Sequence, residues 1–174
     1  MPLPGLRGSD HLGVTVPDLD EAERFLVGIL GAVPVYTLPG RRGEGDWMTR
    51  QLGVHADTRI REIRFYRLAS GTNLEVFAYD AADGQNPPPR NSDIGGHHLA
   101  LYVDDLDAAV AYLRENDVEV MGEPVASGAA STGQRWIYFR APWGMQLELV
   151  SFPDGKAYEA EASTLLWHPA HPAE

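Results

Sequence analysis

The chain has 174 residues, 44% hydrophobic and 22% charged, which suits one folded domain of ordinary size or two small modules sharing a core. It has no cysteine, which excludes a disulfide framework and a thiolate metal site and leaves His, Asp and Glu to hold any metal. A formal net charge of −11 without a Lys/Arg cluster argues against nucleic acid as a partner.

MPLPGLRGSD at the N-terminus lacks the apolar core of a signal peptide, and no run approaches the ~18 apolar residues of a membrane span. A cytoplasmic protein with no membrane partner is the expectation. From Asp10 to Val16 the pattern alternates, with His11, Gly13 and Thr15 on one strand face and Leu12, Val14 and Val16 on the other. Asp18, followed by Glu21, reads as a helix cap, and apolar positions 19, 22, 25, 26, 29 and 30 keep a helical period up to Gly31. Val33 to Leu38 reads as a second strand. Pro39 to Asp46 reads as a flexible polar loop, in which Arg41 and Arg42 either meet an anionic ligand group or stay solvated. Trp47 and Met48 either cover a ligand pocket or pack down on the nearest core. Arg59–Leu68 and Asn73–Tyr79 are predicted as a third and fourth strand around a Ser70-Gly71 turn, with Glu75 and Phe77 on one face.

Residues 80 to 96 are polar, proline-rich and glycine-ended, as in a linker. The pattern then restarts. Strand His98–Val103 leads to a helix from about Leu106, capped by Asp105 and ending near Asn116. Val118–Met121 is the next predicted strand, Gly122 to Gly133 a loop, and Gln134–Arg140 and Gln146–Phe152 the last two strands. The tail after Pro153 is polar and Ala-rich, with room for a short helix near Ala157–Leu166; His168 and His171 in it read as solvated.

Both halves read β-α-β-β-β. His11-Leu12-Gly13-Val14 has a counterpart in His98-Leu99-Ala100-Leu101, and Phe65-Tyr66-Arg67 in Tyr138-Phe139-Arg140. In each copy Arg precedes a strand Glu by eight residues and Gly precedes it by four. The His-to-Glu spacing is 64 residues in the first copy and 50 in the second, a difference assigned to the 39–58 loop. Such self-similarity marks two copies of one supersecondary unit. The boundaries are 9–80 for the first module, 81–96 for the linker, 97–153 for the second module and 154–174 for the tail.

Each copy supplies a His at the start of its first strand and a Glu in its last, both opposite the plainly apolar face. If the modules face each other, His11, Glu75, His98 and Glu148 can converge. Two imidazoles and two carboxylates suit one divalent first-row metal (Zn, Ni, Co, Mn or Fe), able to polarise a substrate carbonyl. A lone strand His beside an acid is ordinarily a satisfied polar pair; the matched placement in two copies is what favours ligands. His97 points to the opposite face and reads as structural, and His55 lies in a loop.

The stretch Gly95-Gly96-His97-His98-Leu99-Ala100-Leu101-Tyr102-Val103-Asp104-Asp105-Leu106 and the closing Trp143-Gly144-Met145-Gln146-Leu147-Glu148-Leu149 resemble the vicinal-oxygen-chelate superfamily. That superfamily includes glyoxalase I, methylmalonyl-CoA epimerase, extradiol dioxygenases and fosfomycin- and bleomycin-resistance proteins. The first stretch is most similar to the epimerase branch. The resemblance, over residues 9 to 153, implies an α+β fold of two tandem βαβββ modules forming an eight-stranded cup-shaped mixed sheet with helices outside. It also implies that His11, Glu75, His98 and Glu148 are the metal ligands. Some epimerases carry a further Glu base in the first module; Glu62 is the nearest candidate here and Glu44 a loop alternative.

The expected function is a metal-dependent isomerase, epimerase or lyase that removes a proton next to a metal-held carbonyl through an enediolate, acting on a small molecule and forming a homodimer. Glu148 is the expected general base and Glu75 its partner for reprotonation, with Thr15, Phe77 and Tyr102 lining the pocket or simply filling it. The alternatives are an Fe(II) ring-cleaving dioxygenase and a bleomycin-resistance-like binding protein.

Overall fold

The computed structural model describes residues 3–69 and 71–172, so Ser70 of the expected turn lies outside the described residues. The chain divides into two compact units, one running to Asn86 and the other starting at Pro87. All eight expected strands are present, as two four-stranded mixed sheets, one in each unit.

The first unit runs β1 (His11–Thr15), α1 (Leu19–Gly28), β2 (Val33–Arg41), α2 (Trp47–Leu52), β3 (Arg59–Leu68) and β4 (Thr72–Asp80). Its strand order is β1-β4-β3-β2, with β1 parallel to β4 and the other pairs antiparallel. Asp18 caps α1 by accepting from the backbone N–H of Asp20 at 2.8 Å and Glu21 at 2.9 Å, as its place before the apolar period predicts. The apolar stripe of α1 (Leu19, Ala22, Phe25, Leu26) is buried, as are Leu74, Val76 and Ala78 on the helix side of β4. Each large side chain removed from water there contributes about 1.5–3 kcal/mol. Polar ties fix the same contact. Arg64 on β3 donates to Glu23 and Asp20 of α1, both at 2.8 Å, and the Tyr66 hydroxyl donates to Glu23 at 2.8 Å.

Two corrections concern residues 39–52. The second strand does not stop at Leu38; it continues to Arg41. Gly40 permits this, because a Cβ there would overlap the Arg61 carbonyl, at the bulge between Ile60 and Glu62. As the outer strand of its sheet, β2 is exposed along its whole length, with Val33, Val35, Tyr36 and Leu38 in solvent and prolines at 34 and 39. The remainder of the expected loop contains α2, a helix of six residues that ends at Gly53 with φ +67°. Met48 is 0% exposed and packs with Ile60 and Ile63, while Trp47, Phe65, Phe77 and Tyr79 lie against that cluster. Packing on the core, the second of the two readings open for Met48, is the one observed. The Arg41 guanidinium covers the Trp47 ring at 4.1 Å, and Arg42 pairs with Asp57, so both arginines are engaged locally.

The second unit runs β5 (Leu99–Tyr102), α3 (Leu106–Glu115), β6 (Val120–Ala126), β7 (Arg135–Arg140) and β8 (Gln146–Ser151), in the order β5-β8-β7-β6. Asp105 caps α3 by accepting from Ala108 N–H at 3.0 Å. Beneath α3 lie Ile137, Phe139, Leu147 and Leu149, all buried with Leu106, Val110 and Leu113 of the helix. The strand expected at 118–121 instead starts at Val120 and runs on to Ala126, past an irregularity between Met121 and Val125. Among the described residues the tail holds a single 3-10 turn, Ala157–Ala160, where a short helix near Ala157–Leu166 is expected.

Candidate functional site

Strand alternation places the polar side chains of β1 and β4 on the face away from α1. Gly13 is in register with Glu75 and His11 with Asn73, so His11 leans toward Glu75 from two positions along the parallel strand. Their Nε2 and Oε2 atoms lie 3.0 Å apart. The other ring nitrogen, Nδ1, lies 2.8 Å from the Asp10 carboxylate. Asn73 in turn donates to the Asp10 carbonyl at 2.9 Å, fixing that residue's backbone. The hydrogen bond to Asp10 raises the His11 pKa; partial desolvation opposes this and the Glu75 charge adds to it.

The second unit repeats the pair. Glu148 sits opposite Ala100 on β5 and Tyr138 on β7, and the His98 Nε2 to Glu148 Oε2 distance is 2.9 Å. Glu148 is buried, and burial pushes its carboxyl up, with the charges of His98 and Lys156 pulling the other way. An aromatic ring flanks each imidazole at the matching strand position. Phe65, opposite Glu75, meets the His11 ring edge-on at 6.5 Å, and Tyr138 meets His98 at 5.1 Å. The repeat contained both rings as Phe65-Tyr66-Arg67 and Tyr138-Phe139-Arg140, but only the register shows that they stand beside the histidines.

The remaining expected pocket residues have separate surroundings. Thr15 is exposed at the end of β1. Phe77 stacks on Tyr79 with ring centroids 5.5 Å apart, against the Met48 cluster. Tyr102 is closed over by the Phe152 ring at 5.0 Å and the His168 ring at 4.5 Å. His168 is therefore half-buried against the sheet, which corrects its reading as a solvated tail residue. Glu62 is also corrected as a candidate base: it lies opposite Ala78 on the α1 side and is paired with Arg64 at 2.5 Å, across the sheet from Glu75. Glu44 serves α2 through its backbone, accepting from Trp47 N–H at 3.1 Å. His97 Nδ1 contacts the Gly95 carbonyl at 3.0 Å, a local structural role.

Each unit thus offers one imidazole nitrogen and one carboxylate oxygen directed at each other. This is the donor chemistry of a divalent first-row metal, and the Asp10–His11 bond is the kind of contact that leaves the opposite ring nitrogen for a ligand bond. Among the described residues no three His, Asp or Glu side chains cluster closely enough to hold a metal, so each pair by itself is two donors. No helix among the described residues is long and apolar enough to cross a membrane.

A family model for the Glyoxalase/Bleomycin resistance protein/Dioxygenase superfamily matches residues 10–139. The chain belongs to this superfamily. One relative, a 2-epi-5-epi-valiolone epimerase of Actinomyces sp., is 46% identical over 96% of this chain and 91% of its own length. With a named enzyme this similar, the chain is an enzyme of the glyoxalase/bleomycin resistance/dioxygenase superfamily. Solved structures agree on the superfamily's fold. A glyoxalase family protein from Bacillus cereus matches with TM-score 0.66 and 22% identity, covering 87% of this chain and 97% of that one. The fosfomycin resistance protein FosX from Listeria monocytogenes matches with TM-score 0.57 and 18% identity, covering 84% and 93%. The superfamily match ends before β8, so Glu148 and the tail lie beyond it.

Proposed function

We propose that this chain is an epimerase that inverts a carbon next to a ketone, with 2-epi-5-epi-valiolone or a closely similar polyhydroxylated cyclic ketone as substrate. The observation that carries the reading is the duplicated pair: His11 with Glu75 at 3.0 Å and His98 with Glu148 at 2.9 Å. Inversion requires one group to take a proton and another to return it, and two carboxylates of like setting, one per module, supply both. The 46% identity to a named epimerase supports the same reaction class.

His11, Glu75, His98 and Glu148 would hold one divalent metal (Zn, Ni, Co, Mn or Fe). When bound, such an ion supplies Lewis-acid polarisation of the ketone, which acidifies the neighbouring proton. Glu148 takes that proton, burial having raised its carboxyl and so suited it to accept one. Glu75 returns a proton to complete the inversion. Phe65 and Tyr138 flank the imidazoles edge-on, and Asp10 fixes the ring of His11.

The test is incubation of the metal-supplemented enzyme with 2-epi-5-epi-valiolone in D₂O, followed by proton NMR. Deuterium at the carbon next to the ketone, together with a new epimer, is the expected result. A metal-loaded sample giving neither overturns the reading. Oxygen uptake with catechols would then mark a ring-cleaving dioxygenase, and ketone binding without exchange would mark a binding protein.

A further inference from the structure

Lys156 is the single lysine of the chain. Every arginine of the second unit is engaged by an acid: Arg90 with Asp93, Arg114 with Glu123, Arg135 with Asp107 and Arg140 with Glu119. Among the described residues the Lys156 ammonium has neither a carboxylate within ion-pair distance nor a hydrogen-bond partner. It is half-buried nonetheless, standing 4.0 Å above the Phe152 ring.

The segment holding it is well tied. Ala157 N–H donates to the Thr132 carbonyl at 2.9 Å, and the Gly155 carbonyl lies against Gly133, where any Cβ would overlap it. Phe152 continues the alternation of Glu148 and Val150 along β8, and its ring meets Tyr102 and His168 at 5.0 and 4.9 Å. The cation therefore stands on Glu148's side of the sheet, at the edge of an aromatic platform. Its charge reaches Glu148 and draws that carboxyl down against the effect of burial.

We infer that Lys156 is a substrate-binding residue whose ammonium donates a hydrogen bond to a hydroxyl or carbonyl oxygen of the ketone, above the Phe152–Tyr102–His168 platform. A lone ammonium, with every arginine of its unit already paired, suits a neutral oxygen better than a phosphate, which favours several cations or a forked guanidinium. The inference rests on the ketone-epimerase reading for the identity of the ligand.

A single lysine makes the test direct. Reductive methylation with ¹³C-formaldehyde labels Lys156 and the N-terminal amine and keeps the charge; the Lys156 resonance is the one absent from Lys156→Met. Titrating the labelled enzyme with 2-epi-5-epi-valiolone should shift that resonance saturably. Lys156→Met should raise KM about tenfold, the loss of one charge-assisted hydrogen bond, with kcat within about twofold, and Lys156→Arg should restore most of the affinity. Epimerisation with a stationary Lys156 resonance, or an unchanged KM in Lys156→Met, overturns the assignment. A saturable shift without epimerisation upholds the lysine and overturns the epimerase reading. Neither shift nor epimerisation overturns both.

Discussion

Asp10 holds His11 by the ring nitrogen that does not meet Glu75. The bond to Nδ1 is 2.8 Å and the contact of Nε2 with Glu75 is 3.0 Å, so the imidazole is oriented before any ligand arrives. Replacing such an orienting carboxylate ordinarily weakens metal binding about 10–100-fold. Asp10→Asn should therefore bind a divalent metal at least about tenfold more weakly than the parent in a chelator competition, with an unchanged far-ultraviolet CD spectrum. Unchanged metal affinity would remove Asp10 from the site.

Glu148→Gln keeps the shape of the side chain and removes the proton acceptor. The deuterium exchange rate should fall at least about 100-fold, the lower range for loss of a general base. Metal content should fall with it, since the same oxygen is the proposed ligand. A variant with both properties intact would show that Glu148 has neither role.

Met48 should be the most costly residue of α2 to truncate. It is fully buried against Ile60 and Ile63. Met48→Ala should lose about 2–5 kcal/mol in urea unfolding, because Met48 is the buried side chain of α2 and its removal leaves a cavity against Ile60 and Ile63. A loss below about 1 kcal/mol would mean that the neighbouring rings close the gap.

The α1 cap gives stability a pH dependence of known sign. Backbone N–H bonds from Glu21 and Asp20 lower the Asp18 pKa below its ordinary value. A carboxyl depressed in the folded state stabilises the fold above its unfolded pKa, and the contribution is lost as pH falls through the folded value. The Tm of the parent should drop more steeply than that of Asp18→Asn between about pH 5 and pH 2. Parallel curves would show that the cap carries no net charge effect.

The repeat was legible because each site residue lies on, or in the case of His98 immediately before, a strand whose alternation is clean. His11 with Gly13 and Thr15, and Glu148 with Gln146 and Val150, keep the period of two without interruption. Glu62 keeps the alternation of Arg64 and Tyr66 toward α1, so it is an acid on a neighbouring strand but on the wrong face. The bulge between Ile60 and Glu62 turns Ile60 instead, to the other face beside Ile63. The α2 helix escaped notice for a different reason. Six residues give fewer than two turns, too short for a period, and Asp46 makes no side-chain cap bond. The seating of His168 depends on its contact with Tyr102, 66 residues away, which no local pattern encodes.

The prolines of β2 bear on how this protein stays in solution. Val35-Tyr36-Thr37-Leu38 is an uncharged, β-prone segment on an open strand, the kind of sequence that templates intermolecular ladders. Pro34 and Pro39 bracket it, and neither can offer an N–H to an incoming strand. Only four residues between them can pair without interruption, fewer than the six or so that fibril-forming segments use. The two rings act as gatekeepers, and replacing both would turn this edge into an aggregation seed without disturbing a single residue of the proposed active centre.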